Sequence, residues 1–196
     1  LAVLSVLAML CTLLPLGVFA AGDEFIPNGD FESSDLSAWK IGKGVLSTAL
    51  AHGGAQSLYS DDNTTSYGYS AYIDNVAVSP NSDYTVTFWY SYVSSSGKTM
   101  RLYVHDAGGA KDNINAANGG SQPVIYCNDS SAVSGTWKQA TVTFNSGANT
   151  AVMLKFGGGS SGYNAVYLDD IVMTGPAPDS GDEGGDEPET PAVDQR

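Results

Sequence analysis

The chain is poor in the residues that most often carry chemistry. It has two histidines, two cysteines, and 8 lysines and arginines against 21 aspartates and glutamates. His52 and His105 form no metal-protease spacing, and no serine sits in a nucleophile-elbow motif. The glycine loop at 157–162 lacks the Lys-Ser/Thr that a phosphate-binding loop needs. Asp61-Asp62 and Asp169-Asp170 are adjacent pairs, and neighbours on a strand point to opposite faces. Neither pair can face across a cleft as a glycosidase requires. A formal net charge of −13 leaves nothing basic enough for nucleic acid. Catalysis in this chain is not expected.

Long apolar runs are also absent after the first 20 residues. LAVLSVLAMLCTLLPLGVFA reads as a signal peptide clipped at its start, spanning 1–21 and cleaved after Ala20 or Ala21. The run is nearly long enough for a membrane anchor, but Pro15 and Gly17 before the small-residue site favour export. Cleavage would leave Cys127 as the one thiol, so no internal disulfide can form. A secreted domain without disulfides depends on core size or on a bound ion. At the other end, 176–196 is Pro, Gly and acid, with seven of the 21 acids, and reads as a disordered linker. Between them, 22–175 is the length of one domain.

What that domain does have is β pattern. Residues 71–78, 84–93, 100–105, 136–144, 151–156 and 165–173 alternate or run apolar with β-branched and aromatic side chains. Turn signals such as Ser79-Pro80-Asn81 and Asn145-Ser146-Gly147 separate them, and no window carries a helical stripe. This predicts an all-β fold, a β-sandwich jelly roll of two antiparallel sheets. Alternation puts Val86, Phe88 and Tyr90 on one side of their strand and Trp89 on the other. In the next strand Leu102 and Val104 oppose Arg101, Tyr103 and His105. Trp89, Arg101, Tyr103 and His105 are therefore candidates for a shared outer surface.

Several motifs add a family resemblance. Asn28-Gly29-Asp30-Phe31-Glu32 precedes Leu36-Ser37-Ala38-Trp39. Gly53-Gly54-Ala55-Gln56-Ser57-Leu58 follows. Then come Tyr84-Thr85-Val86-Thr87-Phe88-Trp89-Tyr90, Gly135-Thr136-Trp137 and Tyr167-Leu168-Asp169-Asp170-Ile171. In that order they resemble carbohydrate-binding modules of families 4, 9 and 22, within the galactose-binding-like jelly rolls. The resemblance implies a concave polysaccharide-binding face and a structural calcium ion joining first and last strands. Glu32 and Asp169 would supply carboxylates, and carbonyls near His52 and Gln56 would complete a calcium shell of six to eight oxygens. Asp170 would be the outward or hydrogen-bonding neighbour. Alternatively, both aspartates are edge-strand solubilisers.

Sugar recognition depends on aromatic rings stacked on pyranose faces, with polar groups orienting the hydroxyls. The chain has 11 Tyr and 3 Trp. Tyr67, Tyr69 and Tyr72 form an unusual cluster ahead of a strand. Trp89, Arg101, Tyr103, His105 and Tyr126 complete the candidate carbohydrate-binding set, with Gln122 a further donor. Trp39 and Trp137 are assigned to packing, and Trp89 could instead be covered by a loop. The resulting expectation is a secreted, monomeric, non-catalytic module. It binds plant cell-wall polysaccharide, xylan or β-glucan, and targets an appended glycoside hydrolase beyond the linker. A cell-surface adhesion module of the same fold is the alternative.

Overall fold

The computed structural model describes residues 25–60, 69–93, 100–107, 125–127, 135–158 and 165–178. The expected signal peptide and most of the acidic tail lie outside them, as do Asp61, Asp62, Tyr67 and Gln122. Among the described residues there is no helix. Ten strands form instead: β1 Trp39–Ile41, β2 Gly44–Ser47, β3 Ser57–Ser60, β4 Tyr69–Ala77, β5 Asp83–Tyr92, β6 Met100–Asp106, β7 Ile125–Cys127, β8 Lys138–Asn145, β9 Ala151–Gly158 and β10 Val166–Thr174.

They assemble into two five-stranded antiparallel sheets. Sheet A runs β1-β4-β9-β6-β7 and sheet B runs β2-β3-β10-β5-β8. The fold is an all-β jelly-roll sandwich. Every long strand expected from alternation is present; the short β1, β2, β3 and β7 are additional. Alternation places the core as anticipated. Tyr84, Val86, Phe88 and Tyr90 of β5 face inward with Leu102 and Val104 of β6, Leu154 and Phe156 of β9, and Leu168 of β10. Phe88 and Phe156 meet edge to face across the two sheets, centroids 5.1 Å apart. Each such fully buried side chain stabilises the sandwich by roughly 1.5–3 kcal/mol.

Irregularities in two strands position the site residues. The β4–β9 register shifts between Tyr69 and Ala71 and again between Ile73 and Val76. The β10–β5 register shifts between Asp169 and Val172, with Asp170 at φ +46°. A bulge adds one residue to one strand, and so changes which side chains share a face.

The end of the domain is anchored. The Tyr84 hydroxyl donates to the Pro176 carbonyl at 3.1 Å, and the Ser79 hydroxyl donates to the Ala177 carbonyl at 3.0 Å. Contacts of the sandwich thus continue two residues past 175.

Candidate functional site

Sheet A turns one row of side chains inward and the next outward. Ladder pairing sets the outward rows side by side. One row is Lys40–Tyr72–Lys155–Tyr103, across β1, β4, β9 and β6. The adjacent row is Tyr69–Gly157–Arg101, continued at β7 by the position of Tyr126. Gly157 has no side chain, and its backbone is buried between its neighbours.

Tyr69 and Tyr72 are three apart, which in a regular strand would put them on opposite faces. The register shift after Tyr69 brings them together, with rings edge to face and centroids 5.1 Å apart. Lys155 Nζ lies 5.5 Å from the Tyr69 ring centroid, a cation–π contact. Arg101 Nη1 donates to the Tyr103 hydroxyl at 3.3 Å. The Tyr103 and His105 rings stack at 5.8 Å.

His105 is half-buried, and its Nδ1 has no hydrogen-bond partner among the described residues. Burial, and then the charge of Lys155, hold its imidazole below the usual pKa, against a smaller opposing pull from Asp106. It is therefore a neutral, polar edge beside the tyrosines. Arg101, Tyr103 and His105 share this outer face with Tyr69 and Tyr72. Tyr126 takes its place by register, and Tyr67 lies outside the described residues. Lys40 and Lys155 were not singled out from sequence, although alternation in 151–156 sets Lys155 opposite the core residues Leu154 and Phe156.

Trp89 does not join this surface. The sequence reading grouped it with Arg101, Tyr103 and His105, but β5 and β6 belong to different sheets. Trp89 faces outward from sheet B, paired with Asp169 on one side and Gln139 on the other. His52 lies flat on it, with centroids 3.9 Å apart and planes 15° apart. Trp137 approaches the same imidazole edge-on at 5.5 Å. Alternation assigns a residue to a face of its own strand and carries no information on which sheet that strand enters. The 50–56 loop covers the ring.

That loop gathers the candidate calcium ligands. Asp169 is buried, with 0% exposure. Its Oδ2 accepts from the N–H groups of His52 at 2.8 Å and Gly53 at 3.3 Å, and its Oδ1 from that of Asp170 at 2.9 Å. Glu32 Oε1 accepts from the N–H groups of Ala55 and Gln56, both at 2.9 Å. The Gln56 side chain donates to the Phe31 carbonyl at 2.8 Å. So the first segment and the last strand both grip residues 52–56.

Of the two roles expected for Asp170, the bulge gives it the hydrogen-bonding one. Asp170 does not point away from its neighbour's partners, because its Oδ2 meets His52 Nδ1 at 2.5 Å. Asn28, Phe31 and Asp170 around this junction adopt φ values of +51°, +55° and +46°. Such conformations cost of order 1–3 kcal/mol each and persist only where surroundings enforce them.

Burial pushes the Asp169 carboxyl up to about 6, against the N–H groups of His52, Asp170 and Gly53, which pull it down; the charge of Asp170 adds to the rise. A buried carboxylate whose charge is disfavoured suits a cation. Each carboxylate oxygen retains acceptor capacity, and Glu32 Oε2 has no hydrogen bond among the described residues. Against this, the loop offers N–H donors to both carboxylates. No group of three His, Cys, Asp or Glu side chains gathers among the described residues, so a cation here would need backbone carbonyls. Calcium accepts these readily, and on those terms the residues fit it.

The domain is thus a two-sheet jelly roll with clustered tyrosines and cations on one outer face. Residues 23–162 match the CBM 4/9 family, described as a carbohydrate binding domain, and the chain belongs to that family. No curated protein matches. Among solved structures the chain is similar to the CBM22-1 xylan-binding domain of Paenibacillus barcinonensis Xyn10C. That match has 15% identity and TM-score 0.52, and covers 75% of this chain and 91% of that one. It is also similar to a family 16 carbohydrate binding module, with 16% identity, TM-score 0.56, and 76% and 99% covered. A third is the CBM22-1–GH10 portion of Clostridium thermocellum xylanase 10B complexed with xylohexaose, with 14% identity, TM-score 0.52, and 72% and 27% covered. These likenesses are likenesses of fold.

Proposed function

We propose that the outer face of sheet A binds a β-linked plant polysaccharide, xylan or β-glucan, and that the chain acts as a non-catalytic targeting module. Tyr69, Tyr72 and Tyr103 offer rings to pyranose faces, while Arg101 and His105 orient the hydroxyls. Tyr67 and Tyr126 extend the same set by sequence and strand position. The observation that carries this reading is the pair of adjacent rows on sheet A, which concentrate tyrosines and cations on an otherwise acidic protein. Trp89, under the 50–56 loop, is left out.

The module is secreted and holds an appended glycoside hydrolase on its polymer by raising local concentration. The acidic Pro/Gly tail supports this, as does a similar structure in which such a module stands beside a GH10 domain. A calcium ion held by Glu32, Asp169 and loop carbonyls near His52 and Gln56 would tie the ends of the domain together, its charge offsetting the buried Asp169 carboxylate. A panel of soluble xylan, β-glucan and mannan in affinity gels, run with and without chelator, tests the reading. Retardation on xylan or β-glucan is expected, together with a melting temperature that drops in chelator. No retardation on any plant polymer would overturn the binding claim in favour of an adhesion role, and an unchanged melting temperature would overturn the calcium claim.

A further inference from the structure

The outer face of sheet A concentrates positive charge among the described residues. Among the described residues the lysines and arginines are Lys40, Lys43, Arg101, Lys138 and Lys155. Lys40 and Lys155 share one outward row, and Arg101 stands in the next. The Lys43 N–H donates to the Tyr69 carbonyl at 3.0 Å, which puts it at the end of that second row. Lys138 alone belongs to sheet B. Among the described residues the acid of this face is Asp74, in the β4 irregularity; Asp106 pairs with the buried Val152 and so belongs to the inward row of β6. Among the described residues the face is thus cationic across its tyrosines and acidic at Asp74.

Lys155, at its centre, has no ion-pair partner among the described residues. Its ammonium lies over the Tyr69 ring instead of reaching a carboxylate. The two rows contain no amide side chain, the usual reader of neutral hydroxyls. The chain as a whole carries 21 acids against 8 bases, so a local cationic face bears on both approach and orientation of an anionic polymer.

We propose that this face selects a polysaccharide bearing carboxylate groups, with uronic acid substituents meeting Lys155 and Arg101 while the backbone sugars lie on Tyr69, Tyr72 and Tyr103. The proposal rests on sheet A being the sugar-binding face, and names the charge class of its ligand. Asp74 disfavours a carboxylate at its end of the face, which biases where along the chain a substituent sits.

The test compares glucuronoxylan with the same polymer after carboxyl reduction, by titration calorimetry on the whole chain. At about 0.02 M salt the acidic polymer binds about tenfold tighter; at about 0.5 M salt, where screening is short-ranged, the gap closes. Lys155→Gln lowers affinity for the acidic polymer about fivefold more than for the reduced one. Lys138→Gln, on the other sheet, changes neither. Equal or tighter binding of the reduced polymer, or equal losses in Lys155→Gln, overturns the charge proposal and leaves the sugar-binding face standing. Binding of neither polymer overturns both.

Discussion

The rings of Tyr69 and Tyr72 meet edge to face at 5.1 Å although their positions differ by three along one strand. The register shift between Tyr69 and Ala71 makes this possible, and it places both rings beside Lys155. The pair is the densest aromatic feature of sheet A's outer face. Replacing Tyr72 by Ala should weaken polysaccharide binding about tenfold, near 1.4 kcal/mol, with the melting temperature nearly unchanged because the ring is partly exposed. Affinity gels and calorimetric melting on the same variant check both halves.

Trp89 makes the opposite prediction. Its ring lies under His52 on the outer side of sheet B, the sheet opposite the tyrosines. Trp89→Ala should cost about 2 kcal/mol of stability, less than a fully buried tryptophan, and leave polymer binding intact. Lost binding with unchanged melting would contradict that assignment.

Asp169 gives a pH dependence with a definite sign. Folded, its carboxyl keeps its proton up to about pH 6; its ordinary value is 3.8. In chelator its contribution is full below pH 4 and is lost as pH rises through 6, by about 3 kcal/mol in total. Subtracting the stability curve of Asp169→Asn from that of the wild type isolates this fall, and added calcium should abolish it. A difference curve that is flat or rises with pH in chelator would contradict the account.

Gly54 tests the same junction by shape. It has φ +57°, and a Cβ there would stand 2.3 Å from Glu32 Cδ. Gly54→Ala should lower stability by about 1–3 kcal/mol and weaken the calcium dependence of melting, since the carboxylate must move. Thermal melts with and without calcium measure both effects.

Much of this was legible in the sequence, for physical reasons. Period-two alternation in β5, β6, β8 and β9 reports burial directly, so the long strands and the inward Phe88, Leu102, Leu154 and Phe156 could be read residue by residue. Arg101, Tyr103 and His105 followed as the outward positions of β6. Short β1, β2 and β3 hold three or four residues each, too few for a period to stand out. Which strand joins which sheet depends on long-range pairing, so Trp89 was grouped with the wrong neighbours. Bulges reset the side-chain period without a local composition signal. Tyr69 therefore sits beside Tyr72, and Asp170 turns to His52, where alternation would have pointed it away.

The central claim is that sheet A, not sheet B, carries the polysaccharide. Its most direct test is affinity electrophoresis on whichever polymer retards the wild type, comparing the double variant Tyr72→Ala/Tyr103→Ala with Trp89→Ala, both verified as folded by their melting transitions. The account predicts that the double variant runs as it does in a gel without polymer, while Trp89→Ala is retarded like wild type. Retained retardation in the double variant with loss in Trp89→Ala would place the ligand on the other sheet and contradict it.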